Sequence, residues 1–209
     1  PSASRRILLK VLGPALVLGL VVGIWYFVTY IVLSPSRRFL LPPVHTVISV
    51  SFMDSANLGQ LMSGLGMTVK VALIGLLIAI LIGVFIAIVM SEAQILETGL
   101  YPYLVILQTI PILALVPLIG FWLGFGFTSR VVICVLIALF PIIANTLFGL
   151  QSSTQPLRDL FQLHKAGRLT TLRKLKIPLA LPAVFAGFRI SAGLSVIGEI
   201  VGGFYFQRG

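Results

Sequence analysis

Acidic side chains are scarce in this chain: Asp and Glu number 5 among 209 residues against 15 Lys and Arg, for a formal net charge of +10. Charge of either sign is scarce too, at 10% of residues, where soluble globular domains carry roughly 25%. Hydrophobic residues make up 58%, and the mean hydropathy is +1.12. That balance excludes a soluble fold and predicts an integral membrane protein. The positive charge sits at the ends of apolar runs, the arrangement that sets membrane orientation, so no nucleic acid partner is expected. Cys134 is the only cysteine and lies inside an apolar run, which excludes a disulfide framework and a cysteine metal cluster. The two histidines, His45 and His164, fall in loops on opposite sides of the expected membrane, and no His-Glu-x-x-His pair occurs, so no metal ligand set is read. Paired aspartates within a span are also lacking, as is a serine on a glycine-flanked elbow, since Ser195 is followed by Val196 and Ile197. Without a Gly-x-x-x-x-Gly-Lys loop the chain does not hydrolyse ATP itself, and no catalytic residue is assigned.

What is present is a series of apolar runs near the roughly 20 residues a bilayer requires. They cover 11–33, 66–90, 100–126, 130–150 and 181–206. Arg5, Arg6 and Lys10 precede the first and place the start of the chain in the cytoplasm. A cleaved signal peptide is the alternative, but the run is too long for one and lacks a small-residue cleavage site. Residues 34–63 form the longest outer segment, broken at Pro35, Pro42 and Pro43 and including a stretch able to lie as a short interfacial helix. In the second span Ala79, Gly83 and Ala87 recur every four residues, a stripe that lets another helix approach closely. Glu92 and Glu97, in the inner loop that follows, read as solvated.

Pro111 and Pro117 interrupt the third span, and Pro141 and Asn145 lie within the fourth. Backbone carbonyls freed by proline persist in a bilayer only where helices or a water-filled path satisfy them. The third span is therefore either a pathway wall or a proline kink that serves packing alone. The fifth span carries Arg189, Glu199 and a second small stripe, Gly198 and Gly202. Ionisable groups this deep face a cavity or a partner. Glu199 is expected in a water-filled cavity or at a helix contact, and Arg189 to brace the inner half through helix carbonyls or a neighbouring chain.

Between the fourth and fifth spans lies a long segment that water solvates readily, with Arg158, Lys165, Arg168, Arg173, Lys174 and Lys176 against one acid, Asp159. Apolar residues recur there at helical spacing, Leu157, Leu160 and Phe161, then Leu169, Leu172 and Leu175. Two short amphipathic helices bent at Ala166-Gly167 are predicted. Their apolar face needs a cover on the aqueous side, either lipid headgroups or, as favoured here, a partner protein. Counting the bases at span ends supports a cytoplasmic elbow. Nine lie inside, namely Arg5, Arg6, Lys10 and the elbow's six, and five outside, namely Arg37, Arg38, Lys70, Arg130 and Arg208. Five spans leave the carboxyl end outside, and a sixth is expected to follow Gly209.

The elbow and fifth span, DLFQLHKAGRLTTLRKLKIPLALPAVFAGFRISAGLSVIGEIVGGF, resemble the coupling loop and following helix of permease subunits of binding-protein-dependent ABC importers. FLLPPVHTV, LQTIPILALVPLIGFWLGFG and FPIIANTLFGL extend the likeness, in order, over nearly the whole chain. The chain is most similar to the nitrate, sulfonate and taurine group, whose relatives also carry bicarbonate, thiamine-precursor pyrimidines and riboflavin. The family's loop motif is Glu-Ala-Ala, three residues, Gly, nine residues, then Ile-x-Leu-Pro. Registered on Pro178, it puts Asp159, Leu160 and Phe161 on the Glu-Ala-Ala positions and Lys165 on its glycine, with Gly167 as the expected displaced flexible point. Relatives often carry a glutamate at the position aligned with Gly203, where this chain has Glu199 one helical turn earlier.

The resemblance implies an all-α, multi-pass protein of the bacterial inner membrane, one permease domain over 1–209 with a cytoplasmic coupling loop at about 151–180. It implies two cytoplasmic ABC ATPase subunits that bind ATP and Mg, a second permease chain completing the pore as a homodimer, an extracytoplasmic substrate-binding protein and surrounding lipid. This chain would hold no cofactor and no metal. The resemblance assigns ATPase coupling to Arg158, Asp159, Leu160, Phe161, His164, Lys165, Gly167, Arg168, Arg173, Lys174 and Pro178, and the path to Pro111, Pro117, Asn145 and Glu199. A membrane scaffold holding an ATPase for export or signalling is the competing function. The cargo is not readable from these residues.

Overall fold

A computed structural model describes residues 3–206. Arg208 and the side chains of Arg5 and Arg6, used above to count charges, lie outside the described set. All regular structure among the described residues is helical. In hydrocarbon an unpaired backbone group costs several kcal/mol, so apolar runs of this length satisfy their peptide groups internally as helices. Backbone contacts group the chain into two compact units, Pro1–Gly64 and Leu65–Gly209.

In the first unit, α1 (Ala3–Phe27) continues through a π-helical turn (Val28–Val32), so that Leu12–Val32 matches the expected first span. A 3-10 turn (Pro35–Leu40) and α2 (Val44–Ile48), prolonged by a second π turn (Ser49–Met53), follow. Pro42 and Pro43 lack the N–H that would carry a helix forward, and the chain doubles back there. The carbonyls they leave are used: Trp25 Nε1 donates to Pro42 O at 2.9 Å, and the buried Thr29 hydroxyl donates to Leu41 O at 3.1 Å. The Tyr26 hydroxyl lies 2.8 Å from His45 Nδ1. The short helix expected after the prolines is thus present.

The helix α3 (Ser55–Glu92) begins well before the predicted 66, because Asp54 Oδ1 accepts the Ala56 N–H at 3.0 Å and starts a helix whose first turns are too polar and glycine-rich to register as apolar sequence. Its residues from Leu65 on belong to the second unit. The third span, expected at 100–126 with interruptions at Pro111 and Pro117, is a broken pair, α4 (Gln94–Thr109) and α5 (Ile112–Leu123), bent by 97° at Pro111, while Pro117 lies inside α5. Pro111 cannot donate to the preceding turn and drives Ile110 to extended angles, φ −68° and ψ 123°, which ends α4 there. The fourth span is α6 (Phe127–Gln151). After the elbow, α8 (Arg168–Thr171), a π turn (Leu172–Lys176) and α9 (Ile177–Phe206) run on without a break, so 168–206 is one helical rod rather than a short second helix plus a span from 181.

The core of this unit lies where α3, α6 and α9 meet. Ala79, Gly83 and Ala87 are all buried, as the stripe predicts, and a Cβ at Gly83 would fall 2.7 Å from Ile142 Cγ2. Gly198 and Gly202 lie against α6 at Cys134 and Arg130. Polar groups close the seams: Ser191 donates to Ala138 O at 2.8 Å and Ser195 to Ala72 O at 2.9 Å. Lipid tails are as apolar as leucine, so close approach and interhelical hydrogen bonds hold these helices together.

Candidate functional site

The elbow starts with Ser153, a buried residue whose carbonyl accepts two hydrogen bonds from Arg158, at 3.1 Å from Nε and 2.7 Å from Nη2. That fork pins the loop to α7 (Gln155–Leu163), and Gln155 Nε2 donates to Asp159 Oδ1 at 2.8 Å on its outer side. The helix ends in a Schellman turn: the Ala166 N–H reaches Phe161 O at 3.0 Å and the Lys165 N–H reaches Gln162 O at 2.8 Å. Such a turn requires a left-handed residue just past the helix, and Lys165 supplies it with φ 49°. This corrects the expectation for Gly167, which sits at φ −65° and ψ 160°, angles open to any residue, as the N-cap of α8. The family's glycine position thus keeps its backbone shape here with a lysine.

Leu157, Leu160 and Leu163 are 37%, 47% and 79% exposed along one side of α7. Phe161, expected beside Leu160 on the outward face, turns inward instead. It lines a cleft of about 320 Å³ with Ser153, Arg158, Arg168 and Thr171, next to Ala166, its usual hydrophobic partner in a Schellman turn. The cleft is closed by Lys176, which pairs with Glu92 at 2.7 Å and donates to Ser91 O at 3.2 Å. Glu92 is therefore an anchor joining the end of α3 to the rod, not a solvated acid. Arg168, Arg173, Lys174 and Pro178 are exposed on the first turns of the rod, and His164 is exposed in the turn before it.

The residues expected on a path do not gather at one place. Pro111 is exposed at the α4–α5 break, beside a cavity of about 430 Å³ lined by Gln108, Ile110, Leu136, Pro141 and Leu194. Pro117 is exposed within α5. Asn145 donates to Pro141 O of its own helix at 2.8 Å and faces α9, where a Cβ at Gly187 would lie 2.9 Å away. Glu199 is 1% exposed, and its carboxylate is taken up by Arg130, with Nε to Oε2 at 3.1 Å and a second bond from Nη2 to Oε1. Arg130, read as an outer-loop base, is buried in the first turn of α6, where Gly202 and Gly203 leave room for its side chain. Glu199 is thus a helix-contact residue and not open to a path. Arg189 is exposed, with no hydrogen bond or ion pair among the described residues, so the carbonyl brace expected of it is absent. No signal in the sequence pairs 130 with 199 or 92 with 176; each pair joins helices far apart along the chain.

Comparison with known proteins gives the family to which the chain belongs. Residues 79–209 match the family described as binding-protein-dependent transport system inner membrane component. A probable ABC transporter permease protein of Haemophilus influenzae is 32% identical over 194 residues, covering 93% of this chain and 77% of the relative. The formylaminopyrimidine transport permease ThiX of Halalkalibacterium halodurans is 32% identical over 195 residues, with 92% and 75% covered. The nitrate import permease NrtB of Synechocystis is 27% identical over 192 residues, with 89% and 69% covered. The export or signalling scaffold draws no support from these relatives. The chain belongs to the inner membrane components of binding-protein-dependent transport systems, and is a multi-pass permease subunit of an ABC importer.

Proposed function

We propose that this permease forms its translocation path with a second copy of itself and that each chain docks α7 on one of two cytoplasmic ABC ATPases. Those ATPases hold ATP and Mg, this chain holds no cofactor, and an extracytoplasmic binding protein delivers cargo to the opposite face. What supports docking is the exposed apolar row Leu157, Leu160 and Leu163 on a helix pinned at both ends. An amphipathic helix seats in a hydrophobic groove through apolar residues about one turn apart on one side, and these three are spaced i, i+3 and i+6. Full burial of one leucine contributes roughly 1.5–3 kcal/mol, and Arg168, Arg173 and Lys174 would meet the groove's rim. ATP-driven closure would then move α7 and the helix anchored to it, switching the pore between outward and inward access.

Among its relatives are permeases named for nitrate, aliphatic sulfonate, formylaminopyrimidine and riboflavin transport. The cargo of this chain is accordingly a small solute of that size range. The docking test is Leu160→Asp combined with Leu163→Asp, read as ATPase copurifying with the permease from the native operon. Loss of most of the ATPase, together with loss of ATP hydrolysis stimulated by the binding protein, is expected. Full retention of both would sink the docking surface.

A further inference from the structure

Among the described residues, hydrogen bonds join α3 to the rod at two levels. The Ser195 hydroxyl donates to Ala72 O at 2.9 Å. At the elbow end, Lys176 Nζ lies 2.7 Å from Glu92 Oε1 and donates to Ser91 O at 3.2 Å. At 1.5 Å per residue, Lys176 and Ser195 are roughly 28 Å apart along the rod. Between the two levels lies a groove of about 440 Å³, with Ile80, Val84 and Ile88 of α3 on one wall and Ile177, Leu181 and Val184 of α9 on the other. Lys176 also lines the cleft of about 320 Å³ beside Phe161, so its pair with Glu92 stands between two hollows.

Two attractions hold Lys176 to α3. Ser91 O belongs to the last turn of that helix, where carbonyls have no partner within the helix and a cation meets the negative end of the dipole. The Glu92 carboxylate adds the opposite charge, and the two side chains are only 22% and 28% exposed, so salt screens them less than a pair on an open surface. Beside this pair, the inner half of α3 leans on α6 through apolar contacts, Ala87 and Met90 against Ile143 and Leu147. Apolar burial is non-directional and lets packed helices shear, whereas a charge-assisted hydrogen bond fixes separation and register together.

We infer that Lys176 and Glu92 are positioning residues that make α3 travel with the rod when the elbow moves. The inference rests on the docking reading and deepens it, naming the contact through which a stroke delivered at α7 reaches a helix other than α9. With the pair intact, the inner end of α3 and the first turns of the rod move as one body, and the groove between them keeps its width. With the pair removed, α9 still follows the elbow while α3 lags behind, turning about the bond from Ser195 to Ala72.

The test needs no identified cargo. Spin labels at Phe85→Cys and Leu181→Cys, exposed residues on the two walls of the groove, read its width by electron paramagnetic resonance. Labelled chain is diluted with excess unlabelled chain, so that distances arise within one copy, and is assembled with its ATPases and binding protein in lipid vesicles. Spectra are taken without nucleotide and after trapping with ATP and vanadate; the unaltered chain, whose Cys134 is fully buried, is the blank. With Lys176 in place the distance is expected to agree between the two states within about 2 Å, whereas with Lys176→Met it is expected to change by about 5 Å on trapping, the scale of a one-turn slip. Lys176→Arg, which keeps the cation, is expected to behave as the native chain does. A distance that Lys176→Met leaves unchanged in both states would overturn the inference, as would a native distance that changes just as much on trapping. So would a shift already complete without nucleotide, the mark of a folding contact alone. Glu92→Gln gives the same readout should Lys176→Met fail to assemble. ATPase content, measured in the same vesicles, reports on docking separately, so a result against the pair in fully loaded vesicles leaves the docking surface standing.

Discussion

A guanidinium and a carboxylate removed from water attract strongly, yet each pays a desolvation cost that only the other offsets. Removing one partner of Arg130–Glu199 therefore does more harm than removing both. Glu199→Leu alone is expected to destabilise the protein by about 3 kcal/mol, seen as a lower melting temperature and a poor yield of monodisperse protein in detergent. The double variant Arg130→Met with Glu199→Leu is expected to recover most of that loss. Equal damage from the single and double variants would show that the pair does not act as a unit. This pair was illegible in the sequence for a physical reason. Hydropathy marks where a charge is costly but not which distant charge meets it, and the partners are 69 positions apart. Lys165 is a similar case: its left-handed backbone follows from the Schellman hydrogen bonds, whereas composition alone favours the glycine two residues on.

Helices were easier to read than pairs, because small residues every four positions mark a face at once. The stripe on α3 meets α6 as its spacing predicts, and its side-chain contact can be relieved. Gly83→Ala is expected to lower thermal stability, and adding Ile142→Ala to restore part of it by removing the methyl 2.7 Å from the new Cβ. Gly149 gives the contrasting case. A Cβ there would lie 3.0 Å from Cα and O of Ala180, backbone atoms that no side-chain change withdraws, so Gly149→Ala should resist rescue in the same melting assay. Partial rescue at both positions would count against backbone contact as the deciding factor. Element ends were less legible. The start of α3 depends on a capping carboxylate rather than on apolar periodicity. The prolines of the third span gave warning of an interruption, but the 97° bend depends on how α4 and α5 each pack.

At the scale of the whole molecule, orientation rests on the uneven placement of bases. It predicts that Lys174→Cys reacts with an impermeant thiol reagent only from the cytoplasmic side, and Phe39→Cys, 75% exposed in the turn after the first span, only from the opposite side. Inside-out and right-side-out vesicles provide the comparison, and the reverse labelling would overturn the topology. The all-helical multi-pass architecture and the amphipathic elbow were both visible in the sequence, since each is written in local period and composition. The unbroken stretch from Arg168 to Phe206 was not, because the basic elbow and the apolar span differ sharply in composition although one helical backbone runs through both. Its 39 residues span about 58 Å, nearly twice the hydrocarbon thickness. On the docking reading proposed above, a stroke delivered at its lower tip would reappear at the upper one as tilt, and entry and exit for the cargo would be timed together.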